Sequence, residues 1–121
     1  NRLIGNLVFS WENNLSGQDH KAVGFENHSG LTYLGNNVQS LGKVLKGFGN
    51  NGQDGFEGAH YKNVFCSYSH GSLLPKNPHL ADYIITCALK RKYPEAPNLT
   101  ELDDQYEMAA NQSMLRRLLK K

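Results

Sequence analysis

The last fifty residues of this 121-residue chain contain no glycine; all 12 lie between Gly5 and Gly71. A stretch free of the residue that weakens helix interiors reads as helix, and the glycine-rich stretch before it as strands and turns. Cysteine is scarce too. Cys66 and Cys87 are too few for a disulfide framework, and no Cys-x2-Cys or His-x3-His spacing offers a metal site. Both thiols sit among apolar residues, so both are expected to be buried and reduced, consistent with a cytoplasmic address. Apolar runs are short: none approaches the ~20 residues of a membrane helix, and no signal-peptide core is present. The net charge of +2 is too small to argue for nucleic acid. What remains is a globular chain with 39% hydrophobic and 20% charged residues, long enough for one small domain. The first residue is Asn1 rather than a start methionine, so the chain is expected to be processed or cut from a longer one.

Leu3-Ile4 and Leu7-Val8-Phe9 predict a mostly buried strand to about Trp11, and Ala22 to Glu26 a second. Asn27-His28-Ser29-Gly30 reads as a corner, followed by extended chain over Leu31 to Leu34. Leu41 to Phe48 alternates apolar with small or polar residues, as a half-buried strand does. Gly49 to Gly55 contains an Asn-Gly pair suited to a type I′ hairpin turn. Its Asn and Asp residues loosely resemble a calcium loop but lack the twelve-residue frame and closing Glu. Glu57 to His60 and Asn63 to Tyr68 supply further strands.

Asn77 as N-cap and Pro78 at the first helical position open a helix. Leu80, Ile84, Cys87 and Arg91 lie on one stripe, and Pro94 stops it. A second helix is expected from near Thr100 to Leu119, with Leu102, Tyr106, Ala109, Ala110, Met114 and Leu118 inward. The pattern is strands over 1–70, then two helices, without β-α-β crossovers before Asn77. It describes either a small antiparallel sheet with a helical tail or half of something larger.

Five histidines are present. His20 reads as solvated in a polar loop, His60 as a packing residue on a strand, and His79 as a surface residue of the first helical turn. His28 and His70 differ, because each sits at a strand end beside glycine, where side chains converge on pockets. Either could act as a general acid or base, or simply close a turn. A nucleophile for His70 is missing. Cys66 lies four residues upstream on the same strand, about 13 Å away in extended chain. Cys87 is mid-helix, and Ser72 is too close in sequence to be presented.

The strings NRLIGN, VGFENHSG, TYLG, LGKVLKGFGNNGQDG, EGAHYKNV and SHGSLLPKNPHLADY, in that order, resemble the C-terminal half of one enzyme family. These are the glutaminase subunits of lipid II isoglutaminyl synthases, class I glutamine amidotransferases of the cobyric acid synthase type. The likeness covers Asn1 to about Tyr93. It implies an α/β, flavodoxin-like fold, of which residues 1–121 form the C-terminal part of a single amidotransferase domain. It also implies hydrolysis of glutamine, without a cofactor or metal, by a cysteine on a nucleophile elbow. Ammonia would pass to a Mur-ligase-like synthetase subunit that amidates D-glutamate in the lipid II stem peptide.

By position, the resemblance makes His70 the catalytic acid and base and Arg2 a substrate-binding residue. A guanidinium can grip the α-carboxylate of glutamine bidentately. Class I enzymes commonly place Glu two residues after the histidine; here Ser72 stands there, as in a cysteine–histidine dyad. The half bearing the nucleophile is not matched, so the chain by itself is expected to be catalytically silent. A cobyrinate-type amidotransferase and a non-catalytic α+β module that binds a partner are the alternatives.

Overall fold

The computed structural model describes residues 1–120. Two long strands dominate it, β1 (Leu3–Asn13) and β2 (Gln18–His28), joined in an unbroken antiparallel register from Leu3 opposite His28 to Asn13 opposite Gln18. Each is longer than its apolar centre predicts, because polar pairs such as Glu12 and Asp19 extend the ladder at the hairpin end. Asn13 closes that end by accepting the Leu15 amide at 2.9 Å on its side-chain oxygen.

β3 (Gly42–Lys46) lines the other edge of β1 with a bulge opposite Val8 and Phe9, and β4 (Phe56–Glu57) pairs with β3. The sheet order is β2-β1-β3-β4, and a separate hairpin joins β5 (Ala59–Tyr61) to β6 (Val64–Cys66). All these pairings are antiparallel. Leu31 to Leu34 forms no strand; Thr32 is instead tied at its amide to the Asn50 carbonyl, 2.9 Å away.

The turn between β3 and β4 differs from the expected type I′. Such a turn needs positive φ at Asn51 as well as Gly52, and between β3 and β4 only the glycines 47, 49, 52 and 55 adopt it. Side chains brace the loop instead. Asn51 accepts the Gln53 and Asp54 amides, and Asp54 accepts the Phe56 amide. The polar groups that suggested a calcium loop are thus occupied by the loop's own backbone.

The C-terminal part contains the short α1 (Leu73–Lys76) and two long helices, α2 (Pro78–Lys92) and α3 (Gln105–Leu119). The chain is α/β, with the expected two long helices after the strands. α3 starts five residues later than expected, which leaves Leu102 outside it and 76% exposed, and Tyr106 in its first turn is 78% exposed. Met114 and Leu118 make its contact face as expected, joined by Asn111 and Leu115, whereas Ala109 and Ala110, expected inward, are exposed. No helix among the described residues is long and apolar enough to cross a membrane.

Strand alternation sorts the core onto two faces. Leu7, Phe9, Trp11 and Ala22 face α2 through Leu80 and Tyr83, while Val8 and Val23 face α3 through Leu118. His20 is drawn into the first group. It lies opposite Trp11 in the ladder and stacks on it at 5.0 Å, so it is not the solvated loop residue the sequence suggested. His79, expected at the surface, is half-buried 4.5 Å from His20 and 5.6 Å from Trp11.

Burial, with the neighbouring His20 adding to it, lowers the His79 pKa from 6.5 to about 4. The unfolded chain therefore takes up a proton near pH 6.5 that the folded chain refuses until about pH 4. Stability should fall as pH drops through that window. Melting curves from pH 7 to 4 should show a steeper loss for the native chain than for His79→Gln. Parallel profiles would count against it.

Candidate active site

His70 reaches the sheet from outside. It forms an isolated antiparallel bridge to Phe25 on the free edge of β2, with its amide donating at 2.8 Å and its carbonyl accepting at 3.0 Å. The imidazole is exposed and meets the Phe25 ring edge-on, 5.7 Å between centroids at 80°. Immediately afterwards the backbone turns through two left-handed residues, Gly71 at φ 74° and Ser72 at φ 63°. Glycine accepts this conformation freely; a serine there carries strain of about 1–3 kcal/mol. That double turn directs the chain into α1. Lys76 holds the corner, its ammonium donating to the Gly71 carbonyl at 2.9 Å.

Arg2 arrives at β2 from the β1 side. Its Nε–H donates to Asn27 Oδ1 at 2.6 Å, leaving the terminal Nη groups to serve another acceptor. Asn27 and Phe25 are two residues apart on the same face of β2, about 7 Å along the strand. The two residues singled out in the sequence are therefore both attached to one end and one face of β2. That face is uncovered here, with Ile4 49% and Phe25 36% exposed, whereas α3 covers its other end.

The opposite face of the same strand is closed. Glu26 is fully buried and accepts the backbone amides of Phe48 at 2.6 Å and Gly49 at 3.0 Å. His28, the other strand-end candidate, is built into this scaffold. Its ring lies 3.2 Å from Glu26 and 2.8 Å from the Gly30 carbonyl, and stacks on Tyr68 at 3.7 Å. His60 packs on Phe65 at 4.5 Å, the role expected of it.

Cys66 is exposed, contrary to expectation. In a three-residue strand only one residue faces the core, and in β6 it is Phe65, which meets Tyr83 at 5.7 Å. Cys87 packs against the Trp11 cluster from α2. Neither thiol is on the elements that carry His70 and Arg2. The arrangement offers an exposed imidazole for proton transfer and a guanidinium for an anion.

Three residues of this site have no distinctive sequence signal. Phe25 reads as an ordinary strand position and Asn27 as part of a corner, although β2 extends through Asn27 to His28; only the bridge to His70 and the bond to Arg2 give them importance. Glu57 read as the start of a strand; it is buried, and burial chiefly, helped by the nearby acid Glu26, pushes its carboxyl pKa up.

The family profile of the CobB/CobQ-like glutamine amidotransferase domain matches residues 1–78. The glutamine-hydrolysing GatD subunit of lipid II isoglutaminyl synthase from Streptococcus pneumoniae is 43% identical over 104 residues, 86% of this chain and 38% of that protein. The same subunit from Staphylococcus aureus is 42% identical over 118 residues, 97% of this chain and 45% of that protein. A probable cobyric acid synthase from Methanothermobacter thermautotrophicus is 37% identical over 106 residues, 87% of this chain and 19% of that protein. The chain thus spans less than half the length of each of these relatives.

Proposed function

This chain belongs to the CobB/CobQ-like glutamine amidotransferase domain family, and we propose that it forms the C-terminal part of a single glutaminase domain supplying ammonia for lipid II amidation. The observation that carries this reading is the match at 42% and 43% identity to two glutamine-hydrolysing lipid II synthase subunits. It is supported by the attachment of His70 and Arg2 to one open end of β2. The cobyric acid synthase relative, at 37% identity, makes a corrin-directed amidotransferase the second reading.

In this account a cysteine thiolate from outside residues 1–121 attacks the side-chain carbonyl carbon of glutamine. The C–N bond breaks, His70 gives its proton to the departing ammonia, and a γ-glutamyl thioester remains. His70 then takes a proton from water as that water attacks the thioester, releasing glutamate and the thiolate. Arg2 grips the α-carboxylate. The nucleophile-bearing region would cover the exposed face at Ile4 and Phe25. Ammonia would be consumed by a Mur-ligase-like synthetase subunit acting on D-glutamate of the lipid II stem peptide. By itself the chain hydrolyses nothing.

The test is ammonia release from glutamine by the chain joined to its nucleophile-bearing region. Arg2→Ala should raise the glutamine KM by about 10- to 100-fold with kcat within a few-fold, the loss of a charge-assisted pair. Arg2→Lys should fall between, since ammonium cannot make the bidentate fork. An unmoved KM would reduce Arg2 to a tether for Asn27.

A further inference from the structure

One buried acid has no part in the glutaminase reaction as described. Glu57 lies fully buried on β4. Its Oε1 accepts the Ser67 hydroxyl at 2.6 Å and the Tyr68 amide at 2.9 Å. Ser67 Oγ in turn accepts the Ser69 amide at 2.9 Å. The three residues before His70 thus hang from one carboxyl oxygen. Around them there is no slack. A Cβ on Gly58 would stand 2.2 Å from the Cys66 carbonyl oxygen, one on Gly24 1.9 Å from Ser69 Oγ, and His70 itself is paired with Phe25.

An apolar residue would fill the site at less desolvation cost, since a buried carboxyl is unfavourable unless its bonds matter. Glu57 Oε2 has no partner among the described residues, so the investment is all on the side that holds the loop. In a triad site a carboxylate orients the catalytic imidazole by bonding it directly. Here the position two residues after the histidine is Ser72, strained and without a carboxyl.

We propose that Glu57 is the positioning residue for His70: by holding the Ser67 to Ser69 backbone it fixes where the imidazole leaves the edge of β2. The proposal rests on the reading of His70 as the acid–base group. Orientation that a triad acid imposes on the ring is imposed here on the main chain, one step further back.

The test compares variants of the glutaminase assembled with its nucleophile-bearing region. Glu57→Ala should lower kcat by about 100-fold, the scale of an ångström-level misplacement, and leave KM within about threefold because Arg2 is untouched. Glu57→Gln, whose amide oxygen still accepts both bonds, should keep kcat within about fivefold. Amide hydrogen exchange gives a readout free of activity. In Glu57→Ala the Tyr68 and His70 amides should exchange at least about tenfold faster while the α2 amides hold.

Equal losses in the Ala and Gln variants, or unchanged exchange at Tyr68 and His70, overturn the proposal. Should Glu57→Ala fail to fold, Ser67→Ala decides. It removes the two bonds of the Ser67 hydroxyl, one to Glu57 and one from the Ser69 amide, while Glu57 keeps the Tyr68 amide; a kcat loss with faster His70 exchange supports the role, whereas wild-type values for both overturn it. Full activity in His70→Ala would instead remove the glutaminase reading, whatever Glu57 does.

Discussion

Replacing His70 with alanine should lower glutamine turnover by about 1,000-fold, the scale of losing a positioned general acid–base group. On the proposed mechanism the fall should appear in kcat more than in KM, because there the imidazole moves protons while Arg2 holds the substrate. The fold should survive the change. The His70 ring is exposed, and its ties to Phe25 run through the backbone amide and carbonyl, which alanine retains. Steady-state ammonia release and a thermal melt on the same preparation separate the two effects. A rate within tenfold of wild type, in a variant that melts normally, would take His70 out of the chemistry. Loss of rate with a collapsed melt would show that the ring's edge-on contact with Phe25 is structural. His70→Gln, which restores bulk and a hydrogen-bonding group but no titrating nitrogen, should be as inactive as the alanine variant.

How much of this could be read from the chain depends on the kind of signal each residue leaves. The two long helices follow from glycine-free, periodic sequence, and α2 begins at Pro78 and ends before Pro94 as those prolines require. The β1–β2 centre follows from Leu7, Val8, Phe9, Ala22 and Val23. His70 was visible because a histidine before Gly71 at a strand end is a local pattern. Its bridge to Phe25 is not local: 45 residues separate the two, and no periodicity encodes which loop will return to the free edge of β2. Glu57 was invisible for the same reason, since its importance comes from Ser67 and Tyr68, residues of the segment that follows β6. Cys66 was misread because a three-residue strand gives alternation too little length to show which side faces the core. His20 and His79 were misread singly; they are brought together by the β1–β2 register and by the first turn of α2.

Asn77 was read as a helix cap and does something larger, and its replacement should be the most damaging single change to stability. Its side chain makes no cap bond to α2. Fully buried, it faces the free edge of β2 as if it were a strand: Oδ1 accepts the Val23 amide at 2.8 Å, and Nδ2 donates to the Val23 carbonyl at 2.8 Å. Nδ2 also donates to the Leu73 carbonyl at 2.6 Å, and Asn111 from α3 donates to Oδ1 at 3.0 Å. One amide therefore satisfies a sheet edge, closes α1 and receives α3. Alanine would leave these groups without partners in a site that water enters poorly. At about 1–3 kcal/mol for each buried group left unsatisfied, with partial relaxation, the expected loss is on the order of 4 kcal/mol. Against a total stability of about 5–15 kcal/mol that is a large fraction. Asn77→Asp should be at least as harmful above the carboxylate pKa, because it keeps the acceptor but turns the donor side into an anion facing the Val23 and Leu73 carbonyls. Asn111→Ala should cost less, since it leaves the β2 edge clamped. Urea unfolding of the three variants orders them. A loss below about 1 kcal/mol for Asn77→Ala would mean that water replaces the amide and that the edge of β2 is protected by its neighbours instead.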